Sequence, residues 1–498
     1  MSFFLKAKKL DLSTGRTPVV VLNHKDAENF AIQPGDRLEL VNKKKPVIVN
    51  VDTTASKVKK GVIGLFKEVS DLMKVKNGEI IFFQLFEHST AIKAINKKLK
   101  GEKLNYHETY TIIRDLLAGR IGDAELAFYV ASSFVREMDN QELFYLTRAM
   151  VDTGQKIEFK NRKVVDKHCI GGLPGNRTTM VVIPIIASLG LLIPKTSSRA
   201  ITSPSGTADT MEVLAPVEFD LSAVKKIVDK HQACLVWGGA TDIAPADDII
   251  VRITKKLSLE PLSKMIVSIM AKKVAMGINY LIIDLPVGPT AKIKKMSEAK
   301  IIAKKFMWLS KKFGLKTAVT ILKAPEPIGR GIGPALEARD VLRVLQQKAG
   351  RSHSLEKKSL YLAAKLLELC GRAKRGRGLA LATYALRSGR AWQKMRKIIK
   401  AQGGKDKIDS EEVVVGAHRS RYYASEEGII KAIDNRAIDE VARSLGAPYD
   451  KLAGIRMHQR LGNKIKRGYK LLTLFGRSKE RIELGKKALT RVKIFKIE

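Results

Sequence analysis

Apolar and polar residues alternate through the first 84 or so residues, as they do in β-strands. Segments 19–22 and 46–51 are runs of this kind. Two further segments, 30–40 and 73–82, resemble each other, because each places a turn glycine and a carboxylate before an alternating strand. This pattern predicts a small β-barrel built from a duplicated motif, which we interpret as a module for structure or assembly.

The pattern becomes helical from about Ser89 to Met150, where polar turns such as 119–123 separate amphipathic stretches. Beyond this segment, strands and helices alternate. The segment 280–285 is a short apolar strand, and 317–322 is another. Between them, apolar residues fall on one face of a helix that ends at Gly314, namely Ile302, Phe306, Leu309 and Phe313.

A strand, a helix and a second strand at this spacing predict a right-handed parallel crossover. In sheets of this type, ligands bind beyond the carboxyl ends of the strands, and residues 284–288 occupy that position. Toward the C-terminus the chain returns to short strands, with a lysine-rich turn at 462–468. The glycine-rich segment 238–245 is typical of a linker, and domains joined in this way suggest a cleft that closes on its ligands.

Composition adds a strong positive charge to this picture. The chain has 498 residues, and its 91 lysines and arginines outnumber 50 acidic residues, giving a formal charge of +41. The length suggests about three domains. The excess charge is spread along the chain in short groups such as 43–45, 97–98 and 372–377. We therefore interpret it mainly as a solvated surface that also steers anionic substrates, and we do not expect nucleic acid as a partner.

The remaining composition points to a cytoplasmic protein without a structural metal. Three isolated cysteines give no CxxC spacing, and eight histidines are scattered singly, so neither a disulfide framework nor a metal cluster is predicted. The longest apolar stretch, 180–193, is shorter than the roughly 20 residues that span a bilayer and contains Pro184 and Gly190. The first residues also lack the pattern of a secretory signal.

Two polar segments contain the groups that are candidates for the functional site. Residues 166–172 form a glycine-rich loop that includes Lys167, and residues 197–209 are rich in hydroxyl groups and include Arg199. Together they provide backbone N–H groups, hydroxyls and two fixed cations, which are the groups that bind phosphate in proteins. The sequence therefore predicts an enzyme that handles phosphate.

Three motifs in order, 167–172, 197–212 and 268–273, resemble the thymidine and pyrimidine-nucleoside phosphorylase family. Segments 146–154 and 462–468 are also similar to that family, so the resemblance covers the chain from about residue 85 to its end. The extra N-terminal 84 residues resemble the archaeal-type AMP phosphorylases within the family. This resemblance implies phosphorolysis of AMP to adenine and ribose 1,5-bisphosphate in nucleotide salvage, with CMP and UMP as further substrates and phosphate as co-substrate without a cofactor.

Pattern and resemblance together predict an α/β multidomain protein. It has an N-terminal β-barrel-like domain (1–84), a helical domain (85–160 and 245–276), and an α/β phosphate-binding domain with a mostly parallel central sheet (161–244 and 277–400). Residues 401–498 are predicted to form a C-terminal α+β portion of that last domain. The resemblance also implies a homodimer at least, with the barrel as a means of forming larger assemblies.

The resemblance implies two overlapping sets of binding residues. The set that binds the attacking phosphate is Lys167, Cys169, Thr179, Ser197, Arg199 and Thr207. Cys169 stands where the family usually has serine, and a thiol is a weaker donor than a hydroxyl. The set that binds AMP is Gly172, Ser198, Arg199, Ala200, Ile201, Thr202, Ser203, Thr207, Ser268, Lys272 and Lys292.

The resemblance also places Glu260 where a carboxylic acid, usually aspartate, protonates the leaving base. Such an acid requires a raised pKa, which burial against the base provides. Ser268 and Lys272, four residues apart and hence on one face of a helix, match positions that contact base or sugar. Lys292 matches the lysine that pairs with the 5′-phosphate of AMP.

For several of these residues, a structural or solvent-exposed role is an alternative to a functional one. Glu260 could be a surface carboxylate, Lys272 a solvated charge, and His168 either a sugar contact or a core residue. Two alternatives for the whole protein also stay open: a thymidine or pyrimidine-nucleoside phosphorylase of the same fold, and a non-catalytic nucleic-acid-binding protein that uses its positive charge.

Overall fold

The structure is a computed structural model that describes residues 3–15, 17–41, 46–86, 89–200, 203–257 and 262–498. The chain forms two compact units, residues 1–136 and 137–498. The predicted domain boundaries differ from this division and stay a prediction.

The first unit begins with a closed barrel, as predicted, in which neighbouring strands follow the order β1-β5-β2-β4-β3-β6. Its elements are β1 (Phe3–Lys9), β2 (Val19–Asn23), α1 (His24–Asn29), β3 (Arg37–Leu40), β4 (Val47–Thr54), β5 (Val62–Leu65), α2 (Lys67–Met73) and β6 (Ile80–Leu85).

The barrel contains the duplicated motif predicted from the sequence. The run β2-α1-β3 corresponds to β5-α2-β6, and the two copies pair, because β2 is antiparallel to β5 and β3 to β6. Gly35 and Gly78, the turn glycines of the two copies, have φ angles of 92° and 83°, a region that favours glycine. Alternate strand residues such as Leu38, Leu40 and Phe83 are fully buried inside the barrel.

The described helices that follow the barrel in the first unit are α3 (Ala91–Leu99), α4 (Tyr106–Leu117) and α5 (Asp123–Val135). The sequence sets the start of α4, since the Asn105 side chain accepts the Glu108 N–H and the Glu108 carboxylate accepts the Asn105 N–H. This reciprocal capping satisfies two helix-end donors.

The second unit contains the α/β architecture. Its described helices are α6 (Asn140–Thr153), α7 (Thr178–Ser188), α8 (Thr207–Glu212), α9 (Leu221–His231), α10 (Pro245–Lys256), α11 (Leu262–Ala275), α12 (Met296–Lys312), α13 (Pro334–Leu345), α14 (His353–Leu369), α15 (Gly378–Arg387), α16 (Arg390–Ala401), α17 (Asn435–Ser444) and α18 (Lys479–Arg491). No helix in the described part of the chain is long and apolar enough to cross a membrane.

The strands of this unit are β7 (Val165–Cys169), β8 (Ile193–Ser197), β9 (Ala233–Trp237), β10 (Tyr280–Val287), β11 (Lys316–Lys323), β12 (Gly331–Ile332), β13 (His418–Tyr423), β14 (Gly428–Ile433), β15 (Gly454–Met457), β16 (Lys464–Ile465), β17 (Lys470–Gly476) and β18 (Phe495–Ile497). The orders β11-β10-β7 and β8-β9 are parallel. The orders β12-β15-β17-β13 and β16-β14-β18 are antiparallel, and all of their strands except β12 lie in the predicted C-terminal portion, residues 401–498.

The predicted strand-helix-strand unit with parallel strands is confirmed: β10 and β11 are parallel neighbours connected by α12, which buries Ile302, Phe306 and Leu309. The strongly apolar stretch after residue 177 is α7, nearly every residue of which is buried in the main core. The register of β7 on β10 pairs Cys169 with Asp284. The glycine-rich loop and the 284–288 segment therefore leave the same edge of the sheet.

Candidate active site

The loop after β7 depends on two glycines that allow close approach of other segments. Gly172 has φ of 76°, and a Cβ there would lie 2.5 Å from the Cβ of Lys292. Gly175 has φ of 67°, and a Cβ there would lie 2.1 Å from the carbonyl oxygen of Ile328. Because a side chain fits at neither position, the loop packs its backbone directly against the Lys292 segment at Gly172 and against the Ile328 segment at Gly175. Two residues of the predicted AMP site, Gly172 and Lys292, thus lie together.

Lys167 is the central cation of this loop and is completely buried. Its Nζ donates to the hydroxyls of Thr178 at 2.8 Å and Thr179 at 3.3 Å. Burial lowers the pKa of Lys167, an effect that Cys169 and Asp284 oppose. Thr178 is the first residue of α7, so the lysine lies at a helix N-terminus, where unpaired N–H groups favour an anion. The sequence analysis missed Thr178, although it lies beside the predicted Thr179.

Cys169 faces the same end of the sheet. Its Sγ accepts a hydrogen bond from Asn176 Nδ2 at 3.2 Å. Burial, reinforced by the nearby Asp284 carboxylate, raises the pKa of the Cys169 thiol. The sulfur is therefore a neutral thiol that could donate weakly to a phosphate oxygen.

Buried charges surround Lys167. Asp166 lies 3.3 Å from Lys195 Nζ and 2.5 Å from Lys273 Nζ, and Asp284 lies 3.0 Å from Lys358 Nζ and 3.8 Å from Lys167 Nζ. Each of these side chains is less than 10% exposed. Although burial opposes ionisation, the lysines hold the pKa values of both Asp166 and Asp284 below the ordinary value.

Among the described residues of this cluster, four lysine side chains face two carboxylates. Burial, together with Lys273 and Lys167, lowers the pKa of Lys195 to about 7, even though Asp166 opposes the shift. The free site therefore has more positive charge than its carboxylates balance. A bound anion would compensate it, which is the electrostatic requirement of a phosphate site.

The second predicted segment lies beside this cluster. Thr207 Oγ1 accepts from Arg177 at 3.0 Å, and the Arg177 guanidinium also donates to Glu337 and to the Ser205 carbonyl. Ser197 Oγ is buried and has no hydrogen-bond partner among the described residues. It is therefore available to a ligand. Neither Arg177 nor Glu337 was singled out by the sequence analysis, because neither belongs to a motif that includes its partner.

Asp209 organises the loop between Ser197 and Thr207. Its Oδ2 accepts the N–H groups of Ala200 at 2.7 Å and Gly206 at 2.9 Å, while Lys451 Nζ lies 2.9 Å from Oδ1. Ser198 is exposed, and its carbonyl accepts the Ala208 N–H at 3.4 Å. Ser203 Oγ donates to the Ser205 carbonyl at 3.0 Å. Ile201, Thr202 and Glu260, which the sequence analysis also assigned to the site, lie outside the described residues.

The sequence predicts that the Arg199 guanidinium is free to bind phosphate, but in the structure it pairs with carboxylates. The guanidinium donates to Glu212 at 2.6 and 2.7 Å and to Glu218 at 2.8 Å, and it lies 4.9 Å from the ring centroid of Trp237. These carboxylates already compensate its charge, so its role in binding phosphate stays a prediction.

Ser268 and Lys272 lie on one face of α11, as their spacing predicts. Ser268 Oγ and Lys272 Nζ both donate to Asp247 Oδ2, each at 2.6 Å. Burial opposes charge on Lys272, but Asp247 and Asp248 raise its pKa, so the ammonium is retained. The next residue, Lys273, pairs with Asp166. One turn of α11 therefore connects the predicted base side of the site with the strand that carries Lys167.

Comparison with known proteins agrees with this arrangement. Residues 161–392 match the α/β domain of a glycosyl transferase family, residues 92–154 match the helical bundle domain of a glycosyl transferase family, and residues 429–494 match the pyrimidine nucleoside phosphorylase C-terminal domain. The crystal structure of anthranilate phosphoribosyltransferase from Thermus thermophilus shares the fold, with a TM-score of 0.53 at 18% identity over 62% of this chain and 99% of that chain. Fold and site together define a pentosyltransferase of the glycosyl transferase class.

Relatives that match nearly the full length of this chain identify its family more specifically. The AMP phosphorylase of Pyrococcus furiosus is 41% identical over 99% of this chain and 97% of its own length. The AMP phosphorylases of Thermococcus kodakarensis and Methanosarcina acetivorans are each 40% identical, over 99% and 97% of this chain and 97% and 94% of their own lengths. This chain belongs to the AMP phosphorylase family, which confirms the resemblance inferred from the motifs.

Replacing Asp166 tests the buried cluster. Asp166→Asn leaves Lys195 and Lys273 facing each other without a carboxylate, and breaking a buried pair in this way costs about 3–5 kcal/mol. The loss in the free energy of unfolding, measured by urea denaturation, should be larger at pH 6 than at pH 9. The reason is that burial, together with Lys273, already lowers the pKa of Lys195, and Asp166, which opposes this shift, is absent from the variant, so stability recovers as rising pH removes the proton of Lys195.

Asp229→Asn is the matched control, because Asp229 pairs with Arg162 and Lys225 but its side chain is 43% exposed. The loss in the free energy of unfolding for Asp229→Asn should stay below about 1 kcal/mol. Equal losses in the two variants, or a loss for Asp166→Asn that does not change with pH, would show that the buried charges do not interact as described.

Proposed function

We propose that this protein catalyses phosphorolysis of AMP, in which inorganic phosphate displaces adenine from C1′ and forms ribose 1,5-bisphosphate. The observation that carries the proposal is the excess of buried ammonium groups around Lys167, next to a loop that packs against Lys292. Such a site suits two phosphate groups bound close together. The names of the full-length relatives support the same substrate.

The reaction breaks the N-glycosidic bond while a phosphate oxygen forms a new bond to C1′. Positive charge develops on the sugar, and the electron pair of the broken bond moves to the base, which takes up a proton as it departs. Lys167, with the hydroxyls of Thr178, Thr179 and Ser197, would hold the attacking phosphate in line with C1′. Exclusion of water by the closed site would favour attack by phosphate over hydrolysis.

The residues that would contact the 5′-phosphate, the base and the sugar of AMP are assigned by the same reasoning. Lys292 would bind the 5′-phosphate, and Ser268 and Lys272, already oriented by Asp247, would contact the base or sugar. Glu260 would supply the proton. We further propose CMP and UMP as additional substrates, no cofactor besides the phosphate co-substrate, a cytoplasmic location and at least a homodimer.

A product assay tests the function directly. Purified protein is incubated with phosphate and each of AMP, CMP, UMP, adenosine and thymidine, and the released base and sugar phosphate are identified by chromatography. We expect adenine and ribose 1,5-bisphosphate from AMP, with a requirement for phosphate. Faster turnover of adenosine or thymidine than of AMP would instead favour a nucleoside phosphorylase, and no turnover of any of them would favour a non-catalytic protein.

Glu260→Gln tests the proton donor. An amide keeps the shape of the carboxylic acid but cannot donate its proton, so kcat for AMP should fall by about 10²–10⁴-fold. KM for AMP should change little if the residue acts mainly in the proton transfer. Unchanged turnover would remove Glu260 from the mechanism.

Lys292→Ala tests recognition of the 5′-phosphate. The variant should lose activity on AMP and CMP in equal measure but keep whatever activity the enzyme has on adenosine, because adenosine lacks that phosphate. Lys294→Ala, an exposed lysine two residues further on, is the matched control and should behave as the unmodified enzyme. An equal loss on adenosine would contradict the phosphate role.

A further inference from the structure

Arginine side chains gather on one face of the C-terminal antiparallel sheet. Arg421 of β13 and Arg456 of β15 are both paired with Thr473 of β17, so they flank it from either side. Two strand spacings separate them, about 10 Å. Arg419 is paired with Phe475 and lies over its ring at 5.3 Å, which places it on the same face.

Three further arginines border these strands, so we define the arginine face as Arg330, Arg339, Arg343, Arg419, Arg421 and Arg456. Arg330 precedes β12, and it is one of the cations that, together with burial, lower the pKa values of Arg456 and His458. Arg339 and Arg343 lie on α13, and Arg339 donates from Nε to the Val413 carbonyl at 2.8 Å. The face therefore collects residues from four separate segments of the chain.

Few carboxylates balance this charge. Glu411 pairs with Arg343 at 2.8 Å, and the buried Asp340 accepts the backbone N–H groups of Arg330 and Gly331. In the described part of the chain, the guanidinium groups of Arg330, Arg421 and Arg456 form no hydrogen bond or ion pair. Arg330, Arg419 and Arg421 are exposed, and Arg456 is half-buried.

The same positive charges affect the pKa of a neighbouring histidine. His458 follows β15 and is hydrogen-bonded to Thr473 at 2.9 Å. Burial, together with Arg456, Lys470, Arg330 and Arg421, lowers the pKa of His458 to about 4. The imidazole is therefore neutral at physiological pH, because surrounding cations make a further positive charge unfavourable.

We propose that the arginine face binds single-stranded nucleic acid. Arginines carried by strands about 10 Å apart suit a ligand with several phosphates along a chain, and guanidinium binds phosphate oxygens through paired N–H donors. Tyr423, at the end of the edge strand β13, is 46% exposed. It lies two residues beyond Arg421 and hence on the same face, so it offers a ring on which a base can stack.

A single strand fits this surface better than a duplex. Single-stranded bases can stack on aromatic residues of an exposed sheet, whereas bases in a duplex are enclosed by their pairing. This surface is built from β13, β15, β17 and α13 and uses none of the residues assigned to AMP or phosphate. The inference is therefore separate from the proposed enzymatic function, and each can fail without the other.

Fluorescence anisotropy of the full-length protein with labelled oligonucleotides of about 16 residues tests the proposal. The probes are uridine RNA, thymidine DNA and a duplex of the same length, each titrated over a series of salt concentrations. Binding to both single strands should be tighter than binding to the duplex and should weaken with salt. Similar affinity for RNA and DNA would indicate recognition of phosphate and stacking, whereas tighter RNA binding would add a contact to the 2′-hydroxyl.

The decisive variant is Arg419→Gln/Arg421→Gln, since both side chains are exposed. Affinity should fall at least tenfold, and the slope of log K against log salt should become shallower by about 1.4, or about 0.7 for each phosphate that the variant no longer neutralises. Arg421→Lys should keep the slope. Tyr423→Ala should weaken binding about fivefold or more without changing the slope, because stacking carries no charge.

Lys479→Gln/Lys487→Gln is the matched control, because it removes the same charge from exposed positions of α18. That helix packs against the opposite face of the sheet, where Gly485 approaches Leu474. Affinity should change less than about twofold. AMP turnover and melting temperature, measured for every variant, show whether each is folded.

Several results would overturn the proposal. They are no binding near physiological salt, equal losses in the arginine and lysine variants, and duplex binding as tight as single-strand binding. Competition by polyglutamate at the same charge concentration, as effective as competition by oligonucleotide, would also overturn it, because it would indicate a surface for any polyanion, including an acidic protein.

Discussion

The placement of Asp166 between two buried ammonium groups is the interaction on which the rest of the site depends. Asp166 joins three segments, because it lies on β7 and pairs with Lys195 of β8 and Lys273 of α11. Two predicted site residues are adjacent to members of this cluster: Lys167 follows Asp166, and Lys272 precedes Lys273. One carboxylate therefore connects the strand that carries Lys167 with the helix that carries Ser268 and Lys272. A carboxylate at this depth is stable as an ion only because both partners are present.

The same cluster explains why the site needs its ligand. Lys167, Lys195, Lys273 and Lys358 bring more charge than Asp166 and Asp284 can neutralise, and burial makes the surplus costly. An anion bound at the glycine-rich loop would remove that cost. If the proposed phosphate binds here, part of its binding energy comes from this electrostatic imbalance, and the donors are oriented before the substrate arrives.

The role of the positive charge becomes clear only in the tertiary structure, which shows where basic side chains lie close together. Along the sequence the basic groups are scattered, which favours a solvated surface and argues against nucleic acid. Strand register changes this picture locally, because it aligns Arg421 and Arg456 on either side of Thr473. Arg330, Arg339 and Arg343 arrive from a different part of the chain. Segments that look ordinary one at a time become an arginine-rich surface when four strands and a helix assemble.

The sequence by itself determined the features that short-range patterns encode. These are the duplicated barrel motif, the strand-helix-strand crossover at 280–323, and the common face of Ser268 and Lys272, because alternation and i,i+4 spacing are local. The motif resemblance supplied Lys167, Gly172 and Lys292. Only the tertiary structure decided the pairing of Asp166 with Lys273, the contact of Lys167 with Thr178, the compensation of Arg199 by Glu212, and the arginine face. These depend on how distant segments pack and on strand register, which no local pattern records.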